Sequence, residues 1–142
     1  MGNFDKEFMP LAACTDTEIQ DKMLLSEKSL KPKNRYSDIL PFKHSRVHLV
    51  PRAPLQHENP QYSSYINANF VDGPLGDINN RKIIACQGPL DNTFTDFWRM
   101  VSQENVTLIV TTCNVYEQRR PKCHQFWPNE PHQTSAVDLA NE

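Results

Sequence analysis

Residues 85–100 constrain the fold more than any other part of this chain, because they run from an apolar segment through a Gly-Pro turn directly into a helix start. Thr93 is a candidate N-cap, and Asp96, three residues later, completes a capping box. Apolar side chains recur at helical spacing, at Phe94, Phe97, Trp98 and Val101. Such a face must be covered, so the sequence predicts a helix packed on a core.

Apolar, β-branched segments flank this helix on both sides. Residues 65–71 and 82–87 are bounded by turn-forming residues with a longer connection between them, which predicts an antiparallel hairpin. Residues 106–113 (VTLIVTTC) are typical of an interior strand that is covered on both faces. Strands interleaved with a helix that buries one face predict an α/β or α+β fold.

The first part of the chain has a different pattern. Residues 1–32 carry apolar positions at helical spacing after Asp16, which predicts a surface helix that ends before Pro32. Residues 33–64 are rich in proline, and one short strand is expected around residues 46–50. The sequence therefore predicts a helical extension over residues 1–32, followed by domain sequence over residues 33–142.

Composition and charge limit the partners of the protein. The net charge is −2 and the basic residues are scattered, which argues against a nucleic-acid partner. No segment has the length and apolar character of a membrane span, and the apolar stretch near the N-terminus lacks the basic flank of a signal peptide. We therefore expect a cytoplasmic protein with neither a nucleic-acid nor a membrane partner.

The cysteines, which are Cys14, Cys86, Cys113 and Cys123, are widely spaced and form no Cys-x-x-Cys motif. Reduced, buried thiols are the expected state of such cysteines in a cytosolic protein. The alternative is a zinc site that combines Cys113 and Cys123 with His124 and His132, but only one pair of these ligands is adjacent in sequence. We expect no metal and no cofactor.

Ordered motifs along the chain resemble the protein-tyrosine phosphatase family. They are Lys33-Asn34-Arg35-Tyr36, residues 41–47 (PFKHSRV), residues 65–69 (YINAN), residues 85–100, and residues 122–128 (KCHQFWP). The resemblance corresponds to the amino-terminal half of the catalytic domain. It implies an incomplete phosphatase fold, with a mixed twisted sheet flanked by helices, and makes residues 33–142 a truncated domain.

The resemblance implies a reaction and a partner class. The family hydrolyses phosphotyrosine with a cysteine thiolate, a phosphate loop that contains an arginine, and an aspartic acid. Phosphotyrosine-containing proteins are therefore the implied partners. Residues 1–142 contain no His-Cys-x5-Arg motif, so we expect no catalytic residue and no activity from this chain alone. The alternative is a catalytically dead relative that binds phosphotyrosine or another partner.

Four candidate site residues follow from the resemblance. Tyr36 would form one wall of the substrate cleft and stack on the substrate ring, and Asp38 would accept hydrogen bonds from backbone N–H groups of the substrate peptide. Glu117 matches the glutamate that holds the family's signature arginine, and Lys122 matches the lysine that pairs with its acid-loop aspartate. Both of these second-shell partners are absent here. The alternatives are a packing aromatic for Tyr36, a turn residue for Asp38, and solvated surface charges for Glu117 and Lys122.

Two segments imitate catalytic motifs. Cys113 is the only cysteine with an arginine six positions on, but the bulky Val115 and Tyr116 and the charge of Glu117 disfavour a phosphate loop. Trp127-Pro128-Asn129 imitates an acid loop, although an asparagine amide cannot supply the proton. We interpret both segments as structural. The family's loop also carries a glycine where this chain has Arg119, which puts the bend of that loop in question.

Two further expectations concern the sheet. Asn67 and Asn69 lie within a predicted strand, so their amides should be buried and hydrogen-bonded to the backbone. The family adds strands after this region, and without them the sheet would have an open edge. Self-association through an exposed sheet edge is therefore expected.

Overall fold

The computed structural model describes residues 28–51, 64–71 and 82–129, together with the isolated positions Lys6 and Pro10. The helices are a 3₁₀ helix at Lys28–Lys33, a second at Asp91–Thr93, and α1 at Phe94–Gln103. The strands are β1 at Arg46–His48, β2 at Tyr65–Val71, β3 at Ile83–Cys86, β4 at Tyr116–Glu117 and β5 at Arg120–Pro121. Antiparallel sheets combined with helices confirm the predicted α+β class.

The larger sheet has the order β1-β2-β3, and both of its strand pairs are antiparallel. Ala68 lies opposite Cys86 and Val71 opposite Ile83, so the predicted hairpin of residues 65–71 and 82–87 is confirmed. The expected strand around residues 46–50 is present as β1, with a register irregularity between Arg46 and His48. The smaller sheet is the β4–β5 hairpin.

The core lies between the larger sheet and α1. Its buried members are Val47, Leu49, Ile66, Ala68, Phe97, Met100, Cys123 and Phe126. Phe94, Trp98 and Val101 pack against it, which confirms the predicted apolar face of α1. The ring centroids of Phe97 and Phe126 are 4.7 Å apart, so the segment after β5 packs directly on the helix.

The capping box at the start of α1 was predicted incorrectly. α1 begins after Thr93, but the Thr93 hydroxyl accepts a hydrogen bond from the Leu90 N–H at 2.9 Å instead of capping the helix. The Asp96 carboxylate accepts from Lys33 Nζ at 2.9 Å and from Arg99 Nη1 at 2.8 Å. Two cations outcompete a backbone N–H for this carboxylate, because ion-paired hydrogen bonds are the stronger ones.

The prediction of an interior strand over residues 106–113 is also wrong. This segment is not a strand, and it is largely exposed, with Leu108 at 76% and Val110 at 74% exposure. A β-branched run becomes a buried strand only when neighbouring strands accept its hydrogen bonds. Within the described residues, neither sheet includes a strand beside it.

The predicted backbone hydrogen bonds of both asparagines are confirmed, and Asn67 is buried as predicted, whereas Asn69 is half-buried. Asn67 Nδ2 donates to the Ile39 carbonyl at 2.8 Å, and Asn69 Nδ2 donates to the Phe42 carbonyl at 3.1 Å. The two amides thereby hold the loop of residues 39–42 against β2. A buried amide without these partners would cost about 1–3 kcal/mol.

The predicted surface helix after Asp16 lies mostly outside the described residues. Its end differs from the prediction, because Pro32 lies inside the first 3₁₀ helix and not beyond the helix end. Asn34 ends this 3₁₀ helix, since its N–H donates to the Lys31 carbonyl at 3.1 Å and its side chain donates to the Leu30 carbonyl at 3.0 Å. In the part of the chain that the structure describes, no helix is long and apolar enough to cross a membrane.

Candidate functional site

The β4–β5 hairpin forms one side of the candidate site. Glu117 lies opposite Arg120, so Gln118 and Arg119 form a two-residue turn. Their φ angles are 48° and 63°, the left-handed region that this class of hairpin turn requires at both positions. The bend is therefore made without glycine, at a conformational cost of about 1–2 kcal/mol per residue.

Tyr36 and Lys122 meet across 86 residues of sequence. Lys122 Nζ donates to Tyr36 Oη at 2.6 Å and lies 5.3 Å from the centroid of the Tyr36 ring. Tyr36 is 45% exposed, so its ring is available to solvent rather than packed in the core. The structure thus brings together a phenol face and a cation, which are the groups that can stack on an aryl phosphate and pair with its charge.

Arg35 holds the two halves of this contact in place. Its guanidinium donates to the Pro121 carbonyl at 3.1 Å and to the carbonyls of Gly88 and Pro89 at 3.1 and 2.9 Å. One side chain thereby ties the Tyr36 loop to the end of β5 and to the Gly-Pro turn. The motif containing Arg35 was recognised in the sequence, but this positioning role was missed, because its carbonyl partners are far away in sequence.

Gly88 allows the hairpin to approach the turn closely. A Cβ atom at this position would lie 2.6 Å from the Lys122 carbonyl oxygen and 3.1 Å from the Cys123 Cβ. Any side chain here would push away the backbone that carries Lys122. The His124 N–H also donates to the Pro89 carbonyl at 2.7 Å, which fixes the chain just after Cys123.

The other two candidate residues lie outside the Tyr36–Lys122 contact, as far as the described residues show. Asp38 is exposed, two positions after Tyr36 in the same loop. Glu117 Oε1 accepts a hydrogen bond from the Asn114 N–H at 3.2 Å, so its carboxylate supports the base of the hairpin. Their proposed roles toward a substrate therefore stay predictions.

The segment from Cys113 to Arg119 does not surround an anion site. Arg119 lies in the exposed hairpin turn, whereas Cys113 packs against the core. The Asn114 N–H already donates to Glu117 Oε1, so this backbone donor is not free to hold an anion. These contacts favour the structural interpretation of Cys113.

Trp127-Pro128-Asn129 is held by local contacts. The rings of Phe126 and Trp127 are 4.9 Å apart, and Asn129 Oδ1 accepts from Gln125 Nε2 at 2.7 Å. The asparagine oxygen therefore closes a local turn, which favours the structural interpretation of this segment as well.

The cysteine next to Lys122 is not poised as a nucleophile. Burial is the largest cause that raises the pKa of the Cys123 thiol, and the nearby Cys113 raises it further. A raised pKa keeps a thiol protonated near neutral pH, opposite to what a nucleophilic cysteine needs. Among the described residues, no three His, Cys, Asp or Glu side chains come together as metal ligands, and His132 lies outside those residues.

Comparison with known proteins gives a consistent result. A family model described as protein-tyrosine phosphatase matches residues 30–140. The chain is 43% identical over 131 residues to human tyrosine-protein phosphatase non-receptor type 12, covering 89% of this chain and 16% of the relative. It is 41% identical over 127 residues to human receptor-type tyrosine-protein phosphatase alpha, covering 89% and 15%. The chain therefore spans less than a fifth of the length of these curated relatives.

Proposed function

Because the chain belongs to the protein-tyrosine phosphatase family, we propose that residues 33–142 are the amino-terminal half of a phosphatase domain and supply its phosphotyrosine-recognition side. Residues 1–32 would be an extension of that domain. The observation that supports the proposal is the contact between Tyr36 and Lys122, in which a cation lies beside an exposed phenol ring. Phosphotyrosine-containing proteins in the cytoplasm are the proposed partners.

Recognition would use the two groups in different ways. The substrate ring stacks on the exposed face of Tyr36, which supplies apolar contact and a preference for aryl over alkyl phosphates. Lys122 exchanges its bond to the Tyr36 hydroxyl for a bond to a phosphate oxygen, which carries a larger charge. Asp38 would accept N–H groups of the peptide backbone next to the phosphotyrosine.

Hydrolysis requires groups that these 142 residues do not contain. The sequence has no His-Cys-x5-Arg motif, and its Trp127-Pro128 pair is followed by Asn129, whose amide cannot supply a proton. We propose that the segment by itself does not hydrolyse phosphotyrosine, and that the family reaction needs a polypeptide that also carries the nucleophile loop. Within such a polypeptide, Glu117 would hold the signature arginine and Lys122 would pair with the acid-loop aspartate, whereas the direct contact of Lys122 with phosphate is proposed for the segment by itself.

A second candidate is a phosphatase-like binding module without catalysis. The observation that favours it is the exposed apolar segment around Leu108 and Val110, a surface that another protein chain could cover. The two candidates predict different affinities. Without a phosphate loop, recognition by Tyr36 and Lys122 alone should be millimolar or weaker, about −4 kcal/mol, whereas a dedicated module should bind more tightly.

The test is a calorimetric titration of the full 142-residue chain with a phosphotyrosine peptide and with its unphosphorylated form. We expect a dissociation constant of about 1 mM or weaker for the phosphopeptide only. Tyr36→Ala should abolish this binding, and Tyr116→Ala, at a tyrosine that is 66% exposed on β4, serves as the matched control. Micromolar binding would favour the module, and phosphopeptide binding that survives Tyr36→Ala would contradict the proposal.

A further inference from the structure

The β4–β5 hairpin carries a cysteine at each end. Cys113 lies three residues before β4, and Cys123 lies two residues after β5. Tyr116 pairs with Pro121 and Glu117 with Arg120, so the two chain segments continue side by side toward the cysteines. Cys113 is half-buried and Cys123 is buried, and both belong to the same apolar cluster.

A bulge in the ladder turns the two thiols toward one face. The N–H groups of Lys122 and Cys123 both donate to the Val115 carbonyl, at 2.8 and 3.4 Å. Lys122 and Cys123 on one side thus oppose the single residue Val115 on the other, which is the pattern of a β-bulge. Without the bulge, the period-two alternation would place Cys113 and Cys123 on opposite faces. With it, Cys123 shares the face of Val115, and so does Cys113, two residues before Val115.

We propose that Cys113 and Cys123 are a redox-active pair that forms an intramolecular disulfide across the hairpin. The inference is independent of phosphotyrosine recognition. Both side chains contact the same apolar cluster, so the two thiols lie in one region of the core, where a bond between them can close. In agreement, the Cys113 thiol contributes to the raised pKa of Cys123, after the larger effect of burial.

The reaction is a thiol–disulfide exchange with a small-molecule disulfide such as oxidised glutathione. The Cys113 thiolate, the more accessible of the two, attacks one glutathione sulfur, breaks the glutathione S–S bond and releases one glutathione thiolate. Cys123, which is protonated at rest, then loses its proton to solvent and attacks the Cys113 sulfur of the mixed disulfide, which breaks that S–S bond and releases the second glutathione. The two cysteines lose two protons and two electrons, and the oxidised glutathione becomes two reduced molecules.

The sequence makes this bond easy to identify. Trypsin cleaves after Arg99, Arg119 and Lys122, so Cys113 and Cys123 end in separate peptides, residues 100–119 and 123–142. Cys86 lies in a third peptide, residues 83–99, and Cys14 in a fourth, residues 7–22. Each pairing of cysteines therefore gives a different linked mass.

The experiment equilibrates the full chain with reduced and oxidised glutathione, quenches it with acid, and maps disulfides by mass spectrometry, once in buffer and once in urea. We expect the peptides 100–119 and 123–142 to be linked in buffer. The equilibrium constant for forming this disulfide should be at least about tenfold larger than in urea, which corresponds to a difference of about 30 mV in reduction potential. In urea the two cysteines are close only because they are near in sequence, so the difference between buffer and urea measures the contribution of the fold.

The control variant is Cys86→Ser, since Cys86 also lies near Cys123, and it should leave the bond unchanged. Cys113→Ser should abolish it. A dominant link between the peptides 83–99 and 123–142, a disulfide between two chains, or equal equilibrium constants in buffer and in urea would overturn the proposal.

Discussion

Replacing Asp96 by alanine should destabilise the protein more than removing its buried partner Lys33. The carboxylate accepts from Lys33 Nζ at 2.9 Å and from Arg99 Nη1 at 2.8 Å, and the Lys33 side chain is only 3% exposed. Asp96→Ala leaves the Lys33 ammonium in the core without this carboxylate, a change that costs about 3–5 kcal/mol of unfolding free energy.

Lys33→Met should cost less, about 1–3 kcal/mol, because Asp96 keeps Arg99 and the methionine fills an apolar volume. The double variant Lys33→Met with Asp96→Ala removes both charges together, so its loss of unfolding free energy should be smaller than the sum of the two single losses. The resulting interaction energy should be about 2–3 kcal/mol.

The assay is urea unfolding followed by tryptophan fluorescence. Asp91→Ala is the matched control, since the Asp91 side chain is 95% exposed and contacts only the exposed His124 imidazole, at 3.5 Å, among the ion-pair contacts of the described residues. This variant should change the free energy by less than about 0.5 kcal/mol. The reasoning fails if Lys33→Met costs more than Asp96→Ala, or if Asp96→Ala is as mild as Asp91→Ala.

Three further predictions concern pH, the hairpin turn and activity. Burial is the main cause that raises the pKa of Tyr65 to about 12, so above pH 10 the unfolded chain loses this proton while the folded chain keeps it. The free energy of unfolding should therefore fall between about pH 10 and pH 12, by about 2.7 kcal/mol in all. Urea unfolding as a function of pH measures this fall, and Tyr65→Phe should remove it. Arg119→Gly should raise the unfolding free energy by about 0.5–1 kcal/mol, because φ is 63° there, whereas glycine at Ser102, an exposed position of α1, should lower it in the same unfolding assay. The purified chain should release no phosphate from an aryl phosphate above background between about pH 5 and pH 8, and turnover abolished by Cys113→Ser would refute the structural interpretation of that cysteine.

Local patterns predicted those parts of the fold that depend on local contacts. The apolar face of α1 and the β2–β3 hairpin follow from side-chain spacing and turn residues, and both are present. Residues 106–113 show the limit of this reasoning, because a β-branched run has strand propensity, but pairing depends on distant neighbours. The assignment of Asp96 to a capping box failed for the same reason, since its partner Lys33 is 63 residues away in sequence.

The candidate site was only partly predictable. Tyr36 and Lys122 were named from their motifs, but their mutual contact depends on tertiary structure. The positioning role of Arg35 left no local signal, because its acceptors are backbone carbonyls that any sequence provides. The left-handed turn at Gln118 and Arg119 runs against residue preference, so the family's glycine at that bend was a poor guide to this chain.

The most direct test of the recognition proposal is where phosphotyrosine binds on the folded chain. An amide-resolved NMR titration of the isotope-labelled protein with a phosphotyrosine peptide would show this position. The largest shifts should fall on the loop around Tyr36 and on the segment of Lys122, and Lys122→Met should reduce them. Shifts centred on residues 113–119, or shifts as large with a phosphoserine peptide, would contradict recognition by the Tyr36–Lys122 contact.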